Sequence, residues 1–232
     1  MKAPAPRVLM VGTALEGRGG VAAVVSVLRR HGLFERESVR YVATHRDGTP
    51  LVKVRQLFAG VGRTLAVCAG RHPAIVHVHA ASHASFLRKS LVLLVARLSG
   101  CKTIFHLHGG GFRTFAAEEA GTVLRRWIRH TLEASSLVIT LSDSWAQFAR
   151  AFAPRARVAQ LAQASVFCLP SHAEGLPMSM LEAMAALARL LGDDALRDRL
   201  AERARATIEQ HYSTEVVCGH LSAIYRELAE TQ

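Results

Sequence analysis

The chain has 232 residues, half of them hydrophobic, which is enough for one large domain or two small ones with a buried core. Its formal net charge is +11, and the whole basic excess lies before Pro154. This excess would attract anions such as phosphates, acidic lipid surfaces or nucleic acid, and an ordinary solvent-facing basic surface explains it equally well. The four cysteines stand far apart without a C-x-x-C pair, which excludes a disulfide scaffold and indicates reduced thiols in a cytosolic protein.

A glycine-rich loop follows the first predicted strand. The apolar run Arg7–Gly12 predicts a buried strand, and a helix is expected over Val21–Arg30. Between them stands G-R-G-G at residues 17–20, where glycines would let a phosphate approach the backbone. The spacing is not G-x-G-x-x-G, so a plain tight connection explains the loop equally well.

Strands and helices alternate through the first two thirds of the chain. This alternation predicts a parallel sheet with helices on both faces, a doubly wound Rossmann-like α/β domain. Ligands of such sheets bind at the carboxyl ends of the strands, so residues 17–20, 108–111 and Ser142 should share one rim. The further predicted elements are strands near Val39–Thr44, Ala74–His79, Lys102–Leu107 and Leu137–Leu141, and helices near Leu51–Ala69, Phe86–Leu98, Ala116–Ala134 and Ser144–Phe152.

The pattern changes after Phe152. A short connection, Pro154–Leu161, leads into an apolar strand at Ser165–Leu169, and mainly helical segments follow, the last of them capped by Ser213. We therefore expect two domains, residues 1–154 as the Rossmann-like one and residues 155–232 as a shorter, mostly helical lobe. No apolar run is long enough to predict a secretion signal or a membrane span.

Two H-x-H pairs lie on predicted strands, at His77/His79 and His106/His108. Each pair faces one side of its strand, which permits zinc ligation in principle. No clustered Asp, Glu or Cys completes a ligand set, so the sequence predicts no metal site. Histidines that bond a neighbouring carbonyl or a ligand hydroxyl are the favoured interpretation. His108 also begins an H-G-G-G run like a hydrolase oxyanion loop, but no G-x-S-x-G nucleophile follows it.

The stretch Leu169–Met184 reads L-P-S-H-A-E-G-L-P-M-S-M-L-E-A-M and predicts a strand end, a turn and a helix N-terminus. Glu174 lies in the turn and Glu182 in the helix. They could act as an acid–base pair, or equally be a turn residue and a solvent-facing charge. A helix N-terminus at this place suits a phosphate or sugar ligand.

These residues resemble the signature of retaining glycosyltransferases of the GT-B fold, specifically family four. The run F-C-L-P-S-H-A-E-G-L-P-M-S-M-L-E-A-M-A, with seven residues between its glutamates, is similar to that family's paired-glutamate motif. Further segments resemble its glycine loop (Gly19–Ala22), its histidine strand end (Ile104–Gly109) and its closing helices (Leu187–Leu228).

The resemblance implies transfer of a sugar from a UDP- or GDP-sugar to a hydroxyl acceptor in polysaccharide or glycolipid assembly, without cofactor or metal. Glu174 would hold the donor sugar and Glu182 the ribose, while His108 would act at the sugar or orient the acceptor. Because the first half of the chain is basic, we also expect a lipid-linked acceptor and a cytoplasmic location on the inner face of the membrane. The remaining implied donor contacts are Gly19, Gly20, His106, Gly175 and Leu176.

The second lobe is shorter than the resemblance requires. The family carries a complete second α/β domain with cations for the leaving diphosphate, whereas no Lys occurs after Lys102 here. An internally shortened transferase is the leading hypothesis, and a non-catalytic remnant that binds nucleotide-sugars or a protein partner is the alternative. A nucleic-acid-binding protein is disfavoured because only 6% of residues are aromatic and none interleave with basic runs.

Overall fold

Six parallel strands form one sheet in the computed structural model, which describes residues 7–16, 20–46, 48–71, 75–108, 110–161, 193, 202 and 213–231. The strand order across the sheet is β2-β1-β3-β4-β5-β6, and every neighbouring pair is parallel. The strands are β1 (Val8–Gly12), β2 (Val39–Ala43), β3 (Ile75–Ala80), β4 (Lys102–Leu107), β5 (Leu137–Thr140) and β6 (Val158–Gln160).

Helices connect these strands, as the alternating pattern predicts. The helices are α1 (Gly20–Arg30), α2 (Leu33–Arg36), α3 (Pro50–Arg71), α4 (His83–Leu98), α5 (Phe112–Thr114, continued by a π-helical turn, Phe115–Glu119), α6 (Thr122–Glu133), α7 (Asp143–Phe152) and α8 (Thr214–Glu230). Ser142 caps α7 through its Oγ atom, which accepts a hydrogen bond from the Trp145 N–H, and Ser213 Oγ accepts one from the Val216 N–H at the start of α8.

Three elements differ from the sequence prediction, the first being α2, a short helix that was not predicted. The long helix expected over Ala116–Ala134 is interrupted, because Ala120 and Gly121 adopt extended backbone angles and Gly121 becomes the N-cap of α6. The π-helical turn before the break closes with a bond from Ala120 N to Phe115 O of 2.9 Å. The connection expected over Pro154–Leu161 contains β6, which pairs with β5.

The chain divides into two compact units, Met1–Ala162 with Cys218–Gln232, and Gln163–Val217. The first unit holds the whole six-stranded sheet, so the sheet continues past the boundary predicted at Pro154. Of the second unit, the structure describes Asp193, Glu202 and residues 213–217. Among the described helices, none is both long and apolar enough to cross a bilayer.

The two faces of the sheet differ in chemistry. On one face, alternate residues of the strands pack with α3, α4 and α6 in a single apolar cluster that includes Val76, Phe86 and Ile128. On the other face, β3 presents His77 and His79 and β4 presents His106, all fully buried. The Tyr225 hydroxyl of α8 bonds His77, so α8 covers this second face.

The direction of the chain reverses between β1 and β3. From β1 the chain moves outward to β2, then returns across β1 to β3 and continues in that direction to β6. Right-handed crossovers therefore put α1 on the opposite face from α3 and α4. Such a switch point opens a crevice at the carboxyl ends of the two strands, which is where doubly wound folds bind ligands.

Candidate functional site

The described residues contain three of the eight predicted site residues. Gly20, His106 and His108 are described, whereas Gly19, Glu174, Gly175, Leu176 and Glu182 lie outside the described residues. The roles predicted for those five stay predictions. The part of the candidate site that the structure describes therefore consists of the sheet and the rim at the carboxyl ends of its strands.

Gly20 is the first residue of α1, the helix that follows β1 at the switch point. It is exposed, and a Cβ placed on it would meet no atom within 4 Å. The first turn of α1 carries no acidic side chain. The N–H groups of the first turn therefore begin on the rim where the glycine loop was expected.

His106 and His108 lie at two depths of β4. His106 is fully buried inside the strand, and its Nδ1 atom is 3.1 Å from Nε2 of His77. His108 follows the strand end and is half-buried. Its N–H donates to the Ala80 carbonyl at 2.8 Å, which extends the β3–β4 ladder by one bond and fixes the imidazole at the rim. Of the two, His108 alone reaches the part of the sheet where a ligand could bind.

The two H-x-H pairs form one cluster, which we call the histidine column (His77, His79, His106 and His108). The register of β3 and β4 places His79 directly beside His106. Ring centroids are 4.5 Å apart for His77 and His79, and 4.1 Å apart for His106 and His108. The column runs from Tyr225, whose hydroxyl lies 2.6 Å from His77 Nδ1, to the rim, where His79 Nδ1 and His108 Nε2 are 2.8 Å apart.

Burial keeps the histidine column neutral. Loss of hydration lowers the pKa of His77 to about 3 and that of His108 to about 4, with mutual repulsion inside the column adding to the effect on His77. The pKa values of His79 and His106 are also far below the usual range, chiefly because of burial. Near neutral pH each imidazole therefore carries one N–H donor and one nitrogen lone pair that can accept a hydrogen bond.

Lys89 is a buried lysine that no sequence pattern singles out. It lies in α4, is fully buried, and donates from Nζ to the Gly12 carbonyl at 3.2 Å and to Thr44 Oγ1 at 2.7 Å. Burial, with a smaller contribution from the neighbouring Arg88 charge, lowers its pKa to about 7. It thus joins the ends of β1 and β2 beneath the rim. The sequence of α4 does not indicate that this side chain is buried, because a single lysine in a helix usually faces solvent.

An exposed acid–base pair lies on the rim beside the switch point. His83 begins α4 directly after β3, and its Nε2 atom is 2.5 Å from Glu119 Oε2. The His83 backbone has φ of 52°, a left-handed conformation that is uncommon for a residue with a side chain. His83 also packs against Phe115, with ring centroids 4.6 Å apart. The pair could exchange a proton with a bound hydroxyl, and sequence analysis missed it because its partners are 36 positions apart.

Comparison with known proteins adds no assignment, since neither a protein-family model nor a curated protein matches this sequence. The fold and the rim define the class: an α/β protein with a parallel, Rossmann-like sheet and a ligand crevice expected at its carboxyl edge. Anything more specific depends on the residues that carry the resemblance.

Proposed function

We propose that this chain is a glycosyltransferase of the retaining GT-B type, which moves a sugar from a UDP- or GDP-sugar to a hydroxyl acceptor. The observation that supports it most is the agreement between motif and fold. The paired-glutamate stretch Leu169–Met184 occurs in a chain whose sheet is parallel, doubly wound and interrupted by a switch point, as such a transferase requires.

The rim supplies groups for the acceptor side of this reaction. His108 is half-buried at the end of β4, and its neutral imidazole can bond a sugar or acceptor hydroxyl. The N-terminus of α1 at Gly20 lies on the same rim, and in this proposal it is the part that approaches the donor diphosphate. His106 is completely buried, so in this proposal it acts through the histidine column and not by touching the donor.

An apolar surface on α3 and α4 supports a lipid-linked acceptor and a peripheral position at a membrane. We call it the α3–α4 surface. It comprises exposed side chains at helical spacings on two packed helices, and α3 contains no acidic residue. Lys53 and Arg55 border it on α3, so an anionic bilayer would complement both its charge and its apolar face. Its members are Leu51, Val54, Phe58 and Leu65 of α3, and Leu87, Leu91 and Leu98 of α4.

A catalytically impaired remnant is the second candidate. The lack of any lysine after Lys102 leaves the leaving diphosphate without one usual source of charge stabilisation. Such a chain would bind a nucleotide-sugar or a protein partner through the same rim without turnover.

Thermal shift with a panel of UDP- and GDP-sugars tests binding, and release of the nucleoside diphosphate tests turnover. Glu174→Gln should remove both, because the amide cannot replace the carboxylate at the donor hydroxyls. Glu202→Gln, a change at an exposed glutamate, is the matched control and should leave both unchanged. His108→Ala should reduce turnover more than binding.

The outcomes separate the candidates. Binding that depends on Glu174, together with turnover, supports the transferase. Binding without turnover favours the remnant. The absence of a thermal shift with every nucleotide-sugar counts against both, as does a shift that Glu174→Gln leaves intact.

A further inference from the structure

The histidine column contains two buried nitrogen atoms without a partner among the described residues. These are Nε2 of His79 and Nε2 of His106. Leaving a buried polar atom unpaired costs about 1–3 kcal/mol, so two of them in one cluster require an explanation. Both belong to neutral imidazoles, which are the form that binds metal ions.

Hydrogen bonds fix which nitrogen of each ring is available. If His77 Nδ1 donates to the Tyr225 hydroxyl, which lies 2.6 Å away, the lone pair of His77 is on Nε2. In the metal-free chain this Nε2 lies 3.1 Å from Nδ1 of His106, a contact that a bound ion would replace. If His79 Nδ1 donates to His108 Nε2, at 2.8 Å, Nε2 of His79 keeps its lone pair. An outer partner that holds the second ring nitrogen in this way is the usual arrangement for a metal-binding histidine. Tyr225 and His108 would be those outer partners.

We propose that His77, His79 and His106 form a binding site for one transition-metal ion, with zinc as the ion that fits best. One ligand nitrogen from each lies within 4.8 Å of the other two. Zinc bonded at about 2.0–2.1 Å to each of three tetrahedral positions would hold those nitrogens about 3.4 Å apart. Modest ring rotation therefore brings the three together, and water or an anion completes the fourth position.

The donor set decides which ions are suitable. Three imidazoles are typical ligands of zinc, copper and nickel, whereas magnesium and calcium require oxygen ligands. The grouping contains no carboxylate. This site does not depend on the proposed glycosyl transfer.

The position of the site gives it a structural effect. The three ligands come from β3 and β4, and the outer partner Tyr225 comes from α8. An ion that binds only the folded chain raises its stability by mass action. Because the three ligands are fully buried, the ion should enter during folding or when α8 opens, and chelators should remove it slowly.

The test uses the full chain without an affinity tag of histidines. The chain is refolded at pH 8 with and without zinc, dialysed, and its zinc content is measured by mass spectrometry. We expect one zinc per chain, a raised thermal midpoint, and the visible absorption of tetrahedral cobalt when Co²⁺ replaces zinc. Competition with a chromophoric chelator gives the affinity.

Three variants assign the ion to the site. His106→Gln keeps a polar side chain of similar size and should weaken zinc binding by at least about a hundredfold. Tyr225→Phe removes only the outer hydroxyl and should weaken it about 10–100-fold. His130→Gln changes an exposed histidine outside the column and is the matched control.

Two results would overturn the proposal. One is a refolded wild-type chain that retains no zinc and shows no change in thermal midpoint. The other is zinc binding that His106→Gln and His130→Gln affect equally, which would assign the ion to surface histidines. Circular dichroism of His106→Gln without metal shows whether that variant is folded. If it is not, His79→Gln takes its place.

Discussion

Replacing Lys89 with methionine should remove a specific part of the pH dependence of stability. The folded chain holds this ammonium in a fully buried position, where its pKa is about 7 instead of 10.5. Between these two values the unfolded chain binds more protons than the folded one. The free energy of unfolding should therefore rise with pH across this window, and the cost of burying the charge is present in full only below pH 7.

The two pKa values set the size of this effect. The cost is on the order of 4 kcal/mol at pH 7 and about 2 kcal/mol at pH 9. Wild-type stability should therefore gain about 2 kcal/mol over this range from Lys89 alone. In Lys89→Met that gain is absent. Thr44 Oγ1 keeps its bond to the Gly12 carbonyl at 3.2 Å, so one of the two acceptors of Lys89 stays paired.

Urea unfolding at pH 7, 8 and 9, with reducing agent, measures the difference between the two chains. Titrations that wild type and Lys89→Met share, including those of the cysteines, cancel when the two free energies of unfolding are subtracted. Lys102→Met, a change at a half-buried lysine of β4, should keep the wild-type slope. Parallel curves for wild type and Lys89→Met would show that Lys89 keeps its ordinary pKa in the fold, and our account of its burial would then be wrong.

Three further predictions concern packing, α8 and the proposed membrane surface. Gly60→Ala should destabilise the fold by about 1–3 kcal/mol, because its Cβ would lie 3.0 Å from the Ala43 carbonyl and from Thr44 Cα. In the same helix a Cβ at Gly62 would meet open space, so Gly62→Ala should stabilise the fold by up to about 1 kcal/mol. Urea unfolding of the two variants measures these changes, and equal effects of Gly60→Ala and Gly62→Ala would contradict the prediction. In the absence of metal, Tyr225→Phe should lower the free energy of unfolding by about 1–2 kcal/mol, because the hydrogen bond to His77 is lost. Chemical denaturation that shows no loss would refute a stabilising role for this bond. Phe58→Glu should reduce sedimentation with phosphatidylglycerol vesicles, and unchanged sedimentation would rule out the α3–α4 surface as the contact.

Much of the sheet follows from local signals in the sequence. Continuous apolar runs such as Val8–Gly12 predict buried strands, and the Ser99-Gly100 stop predicts the end of α4, which is at Leu98. The break between the π-helical turn and α6 could not be predicted in this way. Gly121 is a poor helix former, but a single glycine inside a helical pattern is often tolerated, so it does not by itself predict the break. Before the break, Phe115 and Ala116 pack into the core.

The histidine column shows where sequence reasoning stops. Alternation along a strand places His77 and His79 on one face, and the same holds for His106 and His108. It does not show that β3 and β4 are neighbours in a register that sets His79 beside His106. In the proposed zinc site the remaining ligand comes from the other H-x-H pair, whereas spacing along the sequence directs attention to carboxylates or thiols. The roles of Glu174 and Glu182 remain predictions.

The contact between Tyr225 and His77 joins residues 148 positions apart, and this has a consequence for the order in which the molecule assembles. A ribosome completes all six strands long before it reaches α8. The face covered by α3, α4 and α6 can close during that interval, because its helices lie between the strands in sequence. The face that carries the imidazoles stays open at β3 and β4 until the last helix is made. The slowest step of folding should therefore be the docking of α8, a long-range closure on a preformed sheet.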